Sequence, residues 1–157
     1  MNIVLIVIGK NDELWLQQGF DIYTKRLKHY INFETLTLPV LKNAKNLTID
    51  IQKKKEGELI LNNISSSDCV ILLDENGKQY SSVDFSSFIN QKMNSGIKRL
   101  VFVTGGPFGF SEAVYLRANE KISLSRMTFS HQMVRIFFVE QFYRAMTILK
   151  GEKYHHE

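Results

Sequence analysis

The sequence predicts an α/β fold with a mainly parallel sheet and helices on both of its faces, and two observations support this. Short runs of apolar and β-branched residues alternate along the chain with longer segments of helical periodicity. Several of the short runs are hydrophobic throughout, as expected of parallel strands covered on both faces by crossover helices. The 157 residues are enough for one well-packed core, so we predict a single domain over residues 1–157.

Strands are predicted where apolar or β-branched residues run together, at 2–8, 33–38, 68–73, 99–104 and, more weakly, 121–124. The first run, NIVLIVI, has no basic residues before it and no small-residue cleavage site after it, so it does not have the form of a signal peptide. We interpret it as a first, buried strand.

Helices are predicted between and after these strands, at about 11–29, 47–63, 82–94, 111–118 and 131–149. Ser81-Ser-Val-Asp84 has the form of a capping box and predicts the start of the third helix. Asn76-Gly77 is a turn dipeptide, and Gly151 follows the last helix where a C-terminal glycine is common. The basic run Lys53–Lys55 is predicted to lie on the solvated face of the second helix, with RNA contact as the alternative.

The composition indicates a soluble globular protein of a reducing compartment. Hydrophobic residues make up 44% of the chain, and no apolar run approaches the roughly 18 residues that a membrane span requires. Cys69 is the only cysteine and lies in the apolar run CVILL, which favours a small core residue over a reactive thiol. We therefore expect a cytoplasmic protein that contacts no membrane and binds no metal.

The charge distribution favours a polyanionic partner. The net charge is +4 and the sequence pI is about 9.1. Residues 117–157 contain seven Lys or Arg against four Glu, so most of the basic excess lies near the C-terminus. A phosphate backbone could bind there.

Two strand ends carry residues that could bind a ligand. VFVTGGPFG, residues 101–109, places glycines after a buried strand, which is consistent with a plain tight turn or with close approach of the backbone to a ligand. It does not match the GxGxxG fingerprint, and the chain has no P-loop motif. In ILLDENGKQYSS, Asp74 and Glu75 could bind a cation or a ribose hydroxyl, or could form a turn or cap.

A third stretch, SLSRMTFSHQMVRIFFVEQFYRA at 123–145, begins as a hydroxyl-rich loop and continues as a helix that is apolar almost all the way round. His131 and Arg135 share one face of this helix, as do Glu140 and Arg144, whose spacing is that of an ordinary salt bridge. One side of such a helix can cover the sheet while the other needs a partner. A second copy of the chain, in a two-fold dimer, would supply it.

Taken together, these motifs resemble the RlmH branch of the SPOUT methyltransferases over essentially the whole chain. The matching stretches are IVIGK, KKKEGELI, LLDENGK, FVTGGPFG, the 123–145 stretch and the terminal GEKYH. The resemblance implies an enzyme that uses S-adenosylmethionine to methylate N3 of a pseudouridine in a stem-loop of large-subunit ribosomal RNA, acting on assembled ribosomes. It also implies a homodimer and a C-terminal trefoil knot. The cofactor-binding residues that it implies are Leu73, Gly105, Leu124, Ser125, Arg126, Met127, Thr128 and Phe129.

The catalytic hypothesis concerns the C-terminal tail. We expect Tyr154 and His155 to close over the cofactor and engage a flipped-out base, with His155 or a water as the proton acceptor. Arg144 and Arg135 would hold RNA phosphate or offset negative charge on the base, and Glu140 would orient Arg144. A disordered tail without a catalytic role is the alternative.

Two positions depart from the family pattern. Ser130 stands where many relatives have Pro before the histidine, which predicts a less rigid loop. His156 stands where a permanently basic residue is common, and because histidine is mostly uncharged at neutral pH, phosphate attraction at the tail would be weaker.

Two other classes of protein remain as alternatives. A non-catalytic α/β module could bind RNA or a nucleotide with the same basic tail, and binding of S-adenosylmethionine would distinguish the enzyme from it. A flavodoxin-like or dinucleotide oxidoreductase is disfavoured by the missing fingerprint.

Overall fold

The computed structural model describes residues 1–156, so Glu157, the last residue of the predicted domain, lies outside the described residues. The strands are β1 Asn2–Ile8, β2 Asn32–Leu38, β3 Cys69–Gln79, β4 Arg99–Thr104 and β5 Glu120–Ser123. Within the described residues they form one five-stranded sheet in the order β2-β1-β4-β3-β5, with every neighbouring pair parallel. The prediction of an α/β fold with a parallel sheet is therefore confirmed.

The helices are α1 Leu14–Leu27, α2 Ile49–Leu61, α3 Ser82–Asn94, α4 Glu112–Arg117 and α5 Met133–Leu149, with a short 3-10 helix at Ala44–Asn46. The side chain of Ser81 accepts a hydrogen bond from the backbone N–H of Asp84 at 3.1 Å, which confirms the predicted cap of α3. At the end of α5, Gly151 has a φ of +68°. The bonds Gly151 N–H to Ile148 and Glu152 N–H to Thr147 complete a Schellman motif.

Helices cover both faces of the sheet, as the continuous apolar strands predicted. Alternate residues of β1 point to opposite sides: Ile3 and Leu5 pack with α1, α3 and α5, whereas Val4 and Ile6 pack with α2 and α4. The connections β1 to β2 and β3 to β4 step across the sheet in one direction, and β2 to β3 and β4 to β5 step in the other. Opposite steps with helices on opposite faces are what right-handed crossovers require.

Strand β3 differs from its prediction. It was expected to end at residue 73, with a turn at Asn76-Gly77, but it continues to Gln79. Ile122 of β5 pairs first with Leu73 and again with Lys78, so residues 74–77 form an irregularity between two paired segments. The predicted turn is wrong because the chain does not reverse there: β5 pairs with both segments, and the polar residues between them bulge from the ladder.

Helix α5 lies on the sheet between α1 and α3. Phe138 and Phe142 of α5 are fully buried, and the rings of Phe102 and Phe138 are 4.8 Å apart. On its outer side Phe137 remains 41% exposed. The helix therefore covers the sheet with one face and leaves part of its apolar surface open within one chain.

Two smaller predictions can also be compared with the fold. Lys54 and Lys55 are exposed on α2, as expected of a solvated face. Cys69 is half-buried and packs against the core, and its burial raises the pKa of the thiol. None of the helices within residues 1–156 combines the length and the hydropathy needed to cross a bilayer.

Candidate active site

A cavity of about 490 Å³ opens at the carboxyl ends of β3, β4 and β5. Most of its lining comes from three segments: the bulge after Leu73, the glycine turn at 105–110, and the stretch that runs from Ile122 to His131. These are the three stretches in which the sequence analysis placed possible ligand contacts. The carboxyl edge of an open parallel sheet is where α/β proteins bind their ligands.

The glycine turn after β4 is both tight and part of the cavity wall. Gly109 has a φ of +82°, a conformation that favours glycine, and its N–H donates to the carbonyl of Gly106 at 3.1 Å. A Cβ on Gly105 would approach the backbone of Gly109 to 3.3 Å. The two interpretations of this motif, a plain turn and a close approach of the backbone to a ligand, are therefore compatible.

Asp74 and Glu75 hold the walls of the cavity together. Oδ1 of Asp74 accepts the N–H of Asn76 at 2.8 Å, which is a local turn-type contact, while its Oδ2 accepts the hydroxyl of Tyr115. Oε2 of Glu75 accepts the hydroxyl of Thr128 at 2.7 Å across the cavity. Burial and the Asp74 carboxylate raise the pKa of Tyr115, so its hydroxyl keeps the proton that it donates.

The loop before α5 is ordered by its own hydroxyls. The hydroxyl of Ser123 donates to the carbonyl of Ser125 at 2.8 Å, and Oγ of Ser125 accepts the N–H of Met127 at 2.9 Å. Oγ of Ser130 accepts the N–H of Met133 at 3.1 Å. Proline at position 130 could not make that last bond, so the serine hydroxyl pairs the first N–H of α5 in place of proline's rigidity.

The residues that the resemblance implied for cofactor binding converge on this cavity with one exception. Arg126 is exposed and lies outside the lining. Those that line the cavity are Leu73, Gly105, Leu124, Ser125, Met127, Thr128 and Phe129.

The cavity also has lining residues that the sequence analysis did not assign to it. Phe108, which is 45% exposed, belongs to the GGPFG motif, and Phe110 follows it directly, so the motif was the available signal for both. Tyr115 comes from α4, and no local pattern distinguishes it from an ordinary amphipathic position. His131 lines the cavity too, and burial together with the charge of Arg135 lowers its pKa, which favours the neutral ring.

The residues proposed for catalysis form a second cluster, here called the tail cluster: Glu140, Arg144, Tyr154 and His155. Nη2 of Arg144 donates to Oε1 of Glu140 at 2.6 Å, which confirms the predicted salt bridge. The hydroxyl of Tyr154 donates to the same oxygen at 3.0 Å, and the Arg144 guanidinium lies 4.9 Å from the centre of the Tyr154 ring. Nη1 of Arg144 is 3.4 Å from Nδ1 of His155.

The tail cluster and the cavity are separate surfaces of one chain. Among the described residues, the cavity lining includes no member of the tail cluster. The tail is held against the turn that follows α1 by a bond of 2.6 Å from the hydroxyl of Tyr30 to Glu152. In this conformation the tail does not close over the cavity of its own chain.

Arg135 does not hold RNA phosphate in this structure. It is only 1% exposed, and its guanidinium donates to the carbonyls of Gly9 at 2.9 Å and Ile8 at 2.5 Å. Its third bond goes to Oδ1 of Asn11 at 3.1 Å. The hypothesis is wrong for this residue because its guanidinium is buried and both Nη groups are already bonded at the end of β1; Nε is also buried and has no hydrogen-bond partner among the described residues.

The chain belongs to the SPOUT methyltransferase family: the family profile described as "Predicted SPOUT methyltransferase" matches residues 1–155. It is therefore a methyltransferase, and the non-catalytic and oxidoreductase alternatives lose their support. Within residues 1–156 no group of three or more His, Cys, Asp or Glu side chains is arranged to hold a metal.

Several relatives carry the name "Ribosomal RNA large subunit methyltransferase H", and the similarity covers essentially all of each chain. The relative from Christiangramia forsetii is 62% identical over 156 residues, 99% of both chains. Those from Flavobacterium johnsoniae and Parabacteroides distasonis are 60% and 57% identical over 157 residues, 100% of both chains. The resemblance to the RlmH branch is thereby confirmed.

Proposed function

We propose that this protein transfers a methyl group from S-adenosylmethionine to N3 of a pseudouridine in large-subunit ribosomal RNA. In this proposal it acts as a cytoplasmic homodimer on assembled ribosomes, and its C-terminal part forms the trefoil knot of its family. The observation that carries the proposal is the convergence of three strand-end loops on one cavity. The names of the relatives supply the RNA substrate.

The cavity fits the methyl donor in size and in charge. Its volume of about 490 Å³ is within the range of pockets that bind ligands of this size. Among the described residues its lining contains the carboxylates of Asp74 and Glu75 and neither Lys nor Arg. Such a lining favours a ligand whose sulfonium and amino groups are positive, even though the whole chain has a net charge of +4.

The cavity residues named by the resemblance would bind and orient the donor. Leu73, Leu124 and Phe129 offer apolar surface for its adenine ring, and the glycine turn leaves peptide groups accessible at the opposite wall. The bound donor supplies an activated methyl group, so the protein's task is to align the accepting nitrogen with it and to exclude water.

The tail cluster would act on the base and on the RNA. Burial and contacts with Tyr23 and Glu140 raise the pKa of Tyr154, which therefore keeps its proton and serves as a hydrogen-bond donor. Arg144 can only donate, so Nδ1 of His155 would be the acceptor in their contact. For Nδ1 to accept the N3 proton, His155 must leave Arg144, whereas a water can accept that proton without this change.

A dimer would bring the tail cluster of one subunit to the cavity of the other. Phe137, on the open side of α5, packs against Phe129 of the cavity wall with the ring centres 4.8 Å apart. Met127, which also lines the cavity, is 78% exposed. The apolar outer side of α5 is thus continuous with the cavity rim, and a second chain covering it would also touch the cavity.

The test is mass spectrometry of ribosomal RNA from cells with and without the protein. We expect a single methyl group on one pseudouridine to disappear in its absence, and unchanged RNA would refute the proposal.

Purified variants assayed on ribosomes then assign the roles. His155→Ala and Arg144→Ala should lose turnover while they retain binding of S-adenosylmethionine. Wild-type turnover in both variants would remove the tail cluster from the mechanism. Mixed dimers of a cavity variant, Gly105→Val, with His155→Ala should recover activity only if one subunit's tail serves the other's cavity.

A further inference from the structure

A buried carboxyl lies directly behind the glycine turn of the cavity. Glu56 of α2 is 3% exposed, and its Oε1 accepts a hydrogen bond from Nε2 of Gln52 at 2.9 Å. Its Oε2 is buried and has no hydrogen-bond partner among the described residues. Burial raises the pKa of this carboxyl. Burying such a group without a cation is unfavourable, so its position calls for an explanation in terms of what it contacts.

The carboxyl of Glu56 contacts the backbone of Gly106. A Cβ on Gly106 would lie 2.4 Å from Oε2 and 3.1 Å from Oε1 of Glu56. The φ of Gly106 is not among the positive values of this chain, so its backbone conformation alone does not require glycine. It is therefore the Glu56 carboxyl that leaves no room for a side chain at this position.

Gly57, the next residue of α2, packs just as closely against the other end of the segment that links β4 to α4. A Cβ on Gly57 would lie 2.2 Å from Oγ of Ser111, the residue whose side chain caps α4. Glycine is disfavoured inside a helix, so its presence here indicates that close packing outweighs propensity. Glu56 and Gly57 together place α2 against both ends of the segment that links β4 to α4.

We propose that Glu56 is a positioning residue for the methyl-donor cavity. It fixes the Gly105–Gly106 turn from the side opposite the cavity, by direct contact with Gly106, and so sets the shape of a wall that it does not itself line. This inference rests on the proposed function, because the ligand whose binding it controls is the methyl donor.

The first test measures binding of S-adenosylmethionine to the full-length protein by calorimetry. Glu56→Ala should bind roughly tenfold more weakly, which corresponds to about 1.4 kcal/mol of binding free energy. Glu56→Gln keeps the size of the side chain and should restore most of the affinity. Glu58→Ala is the matched control, because Glu58 is an exposed carboxylate on the same helix, and its affinity should equal that of the wild type.

The second test asks whether the contact with Gly106 is direct. Gly106→Ala should weaken donor binding because its Cβ meets the carboxyl, and adding Glu56→Ala should recover part of that loss by making room. Glu56→Asp, which withdraws the carboxyl by one methylene, replaces Glu56→Ala if the latter does not fold. If the double variant loses donor affinity by the product of the fold losses of the two single variants, the two residues act independently and the proposal is overturned.

Thermal unfolding of the donor-free proteins separates positioning from general stability. If Glu56→Ala lowers the unfolding temperature but leaves the donor affinity unchanged, Glu56 has only a structural role and the inference fails. If the wild type itself binds no S-adenosylmethionine, the proposed function fails first. If the wild type binds the donor and every Glu56 variant binds it equally well, only the positioning role is refuted.

Discussion

Replacing Arg135 with methionine should destabilise the fold and should not act primarily on RNA binding. The Arg135 guanidinium is buried and bonded to the carbonyls of Ile8 and Gly9, at the carboxyl end of β1. It joins the start of α5, and hence the loop that lines the cavity, to the central part of the sheet. Methionine fills a similar volume but offers no hydrogen-bond donor.

The size of the effect follows from the carbonyls that lose their partner. Ile8 and Gly9 are both buried, and each orphaned carbonyl costs about 1–3 kcal/mol, so the loss is about 2–6 kcal/mol. Burial lowers the pKa of Arg135, which shows that the charge is itself disfavoured there, and removing it offsets part of the loss. We expect a net decrease of about 2–4 kcal/mol in the free energy of unfolding. For a chain of 157 residues this corresponds to roughly 4–16 °C in Tm.

The matched control is Arg144→Met, on the same helix. Arg144 forms an i,i+4 ion pair with Glu140 and also contacts the Tyr154 ring and His155 on a partly exposed surface, so its loss should cost about 1 kcal/mol, less than the loss of Arg135. Urea denaturation followed by circular dichroism at one protein concentration measures both variants. If Arg135→Met unfolds at the wild-type urea concentration while its ribosome binding falls, Arg135 acts on the RNA and the reasoning from its buried contacts is refuted.

Further predictions concern the edge strand, a helix cap and pH. Gly77→Ala should lower the unfolding temperature and weaken donor binding, because its Cβ would lie 2.5 Å from the backbone of Ile122 in β5. Ser81→Ala should cost about 1 kcal/mol of stability through loss of the α3 cap, and Ser81→Thr, whose hydroxyl can accept the N–H of Asp84 and donate to its carboxylate as serine does, should restore it in a urea titration. His131 has a pKa lowered by burial and by Arg135, so the unfolded state binds its proton more readily than the folded state. Stability should therefore fall as the pH drops below the ordinary histidine value of about 6.5, and His131→Asn should remove that part of the pH dependence in unfolding titrations. Identical pH profiles for this variant and the wild type would show that the ring does not titrate as argued.

The strands buried on both faces were the most predictable elements. The limits of β1 and β4, at 2–8 and 99–104, agree with the prediction to the residue, because each is an apolar run bounded by polar or glycine residues. Strand β3 was predictable only where it is apolar. Its continuation through DENGKQ depends on pairing with β5, which is more than 40 residues away along the chain. The sequence does not reveal that pairing, so the local residues, which are typical of a turn, decided the prediction.

The cavity was predictable in outline because its walls follow apolar strands, and the carboxyl ends of parallel strands meet at one edge. The contacts that stabilise the cavity walls could not be predicted from the sequence. Arg135 was expected to contact RNA. Its actual partners are backbone carbonyls at the end of β1, and no residue type in the sequence marks them. The sequence analysis gave Glu56 no role, because nothing local shows that its carboxyl contacts Gly106, which lies 50 residues away along the chain.

The separation of the two clusters gives a physical reason for the proposed dimer. A positively charged donor is favoured by the carboxylates of Asp74 and Glu75, whereas an RNA phosphate and a base that loses its proton are favoured by Arg144. If all of these groups lined one site in one chain, the Arg144 guanidinium would pair with the carboxylates of Asp74 and Glu75. Neither the methyl donor nor the RNA would then be stabilised by them. In the proposed dimer, keeping these groups on different surfaces of each chain would preserve both fields until the two chains associate. Variants that abolish dimerisation should therefore bind S-adenosylmethionine with little change in affinity and lose methyl transfer altogether. A variant that is monomeric by analytical ultracentrifugation at the concentration of the activity assay, and fully active there, would contradict this account.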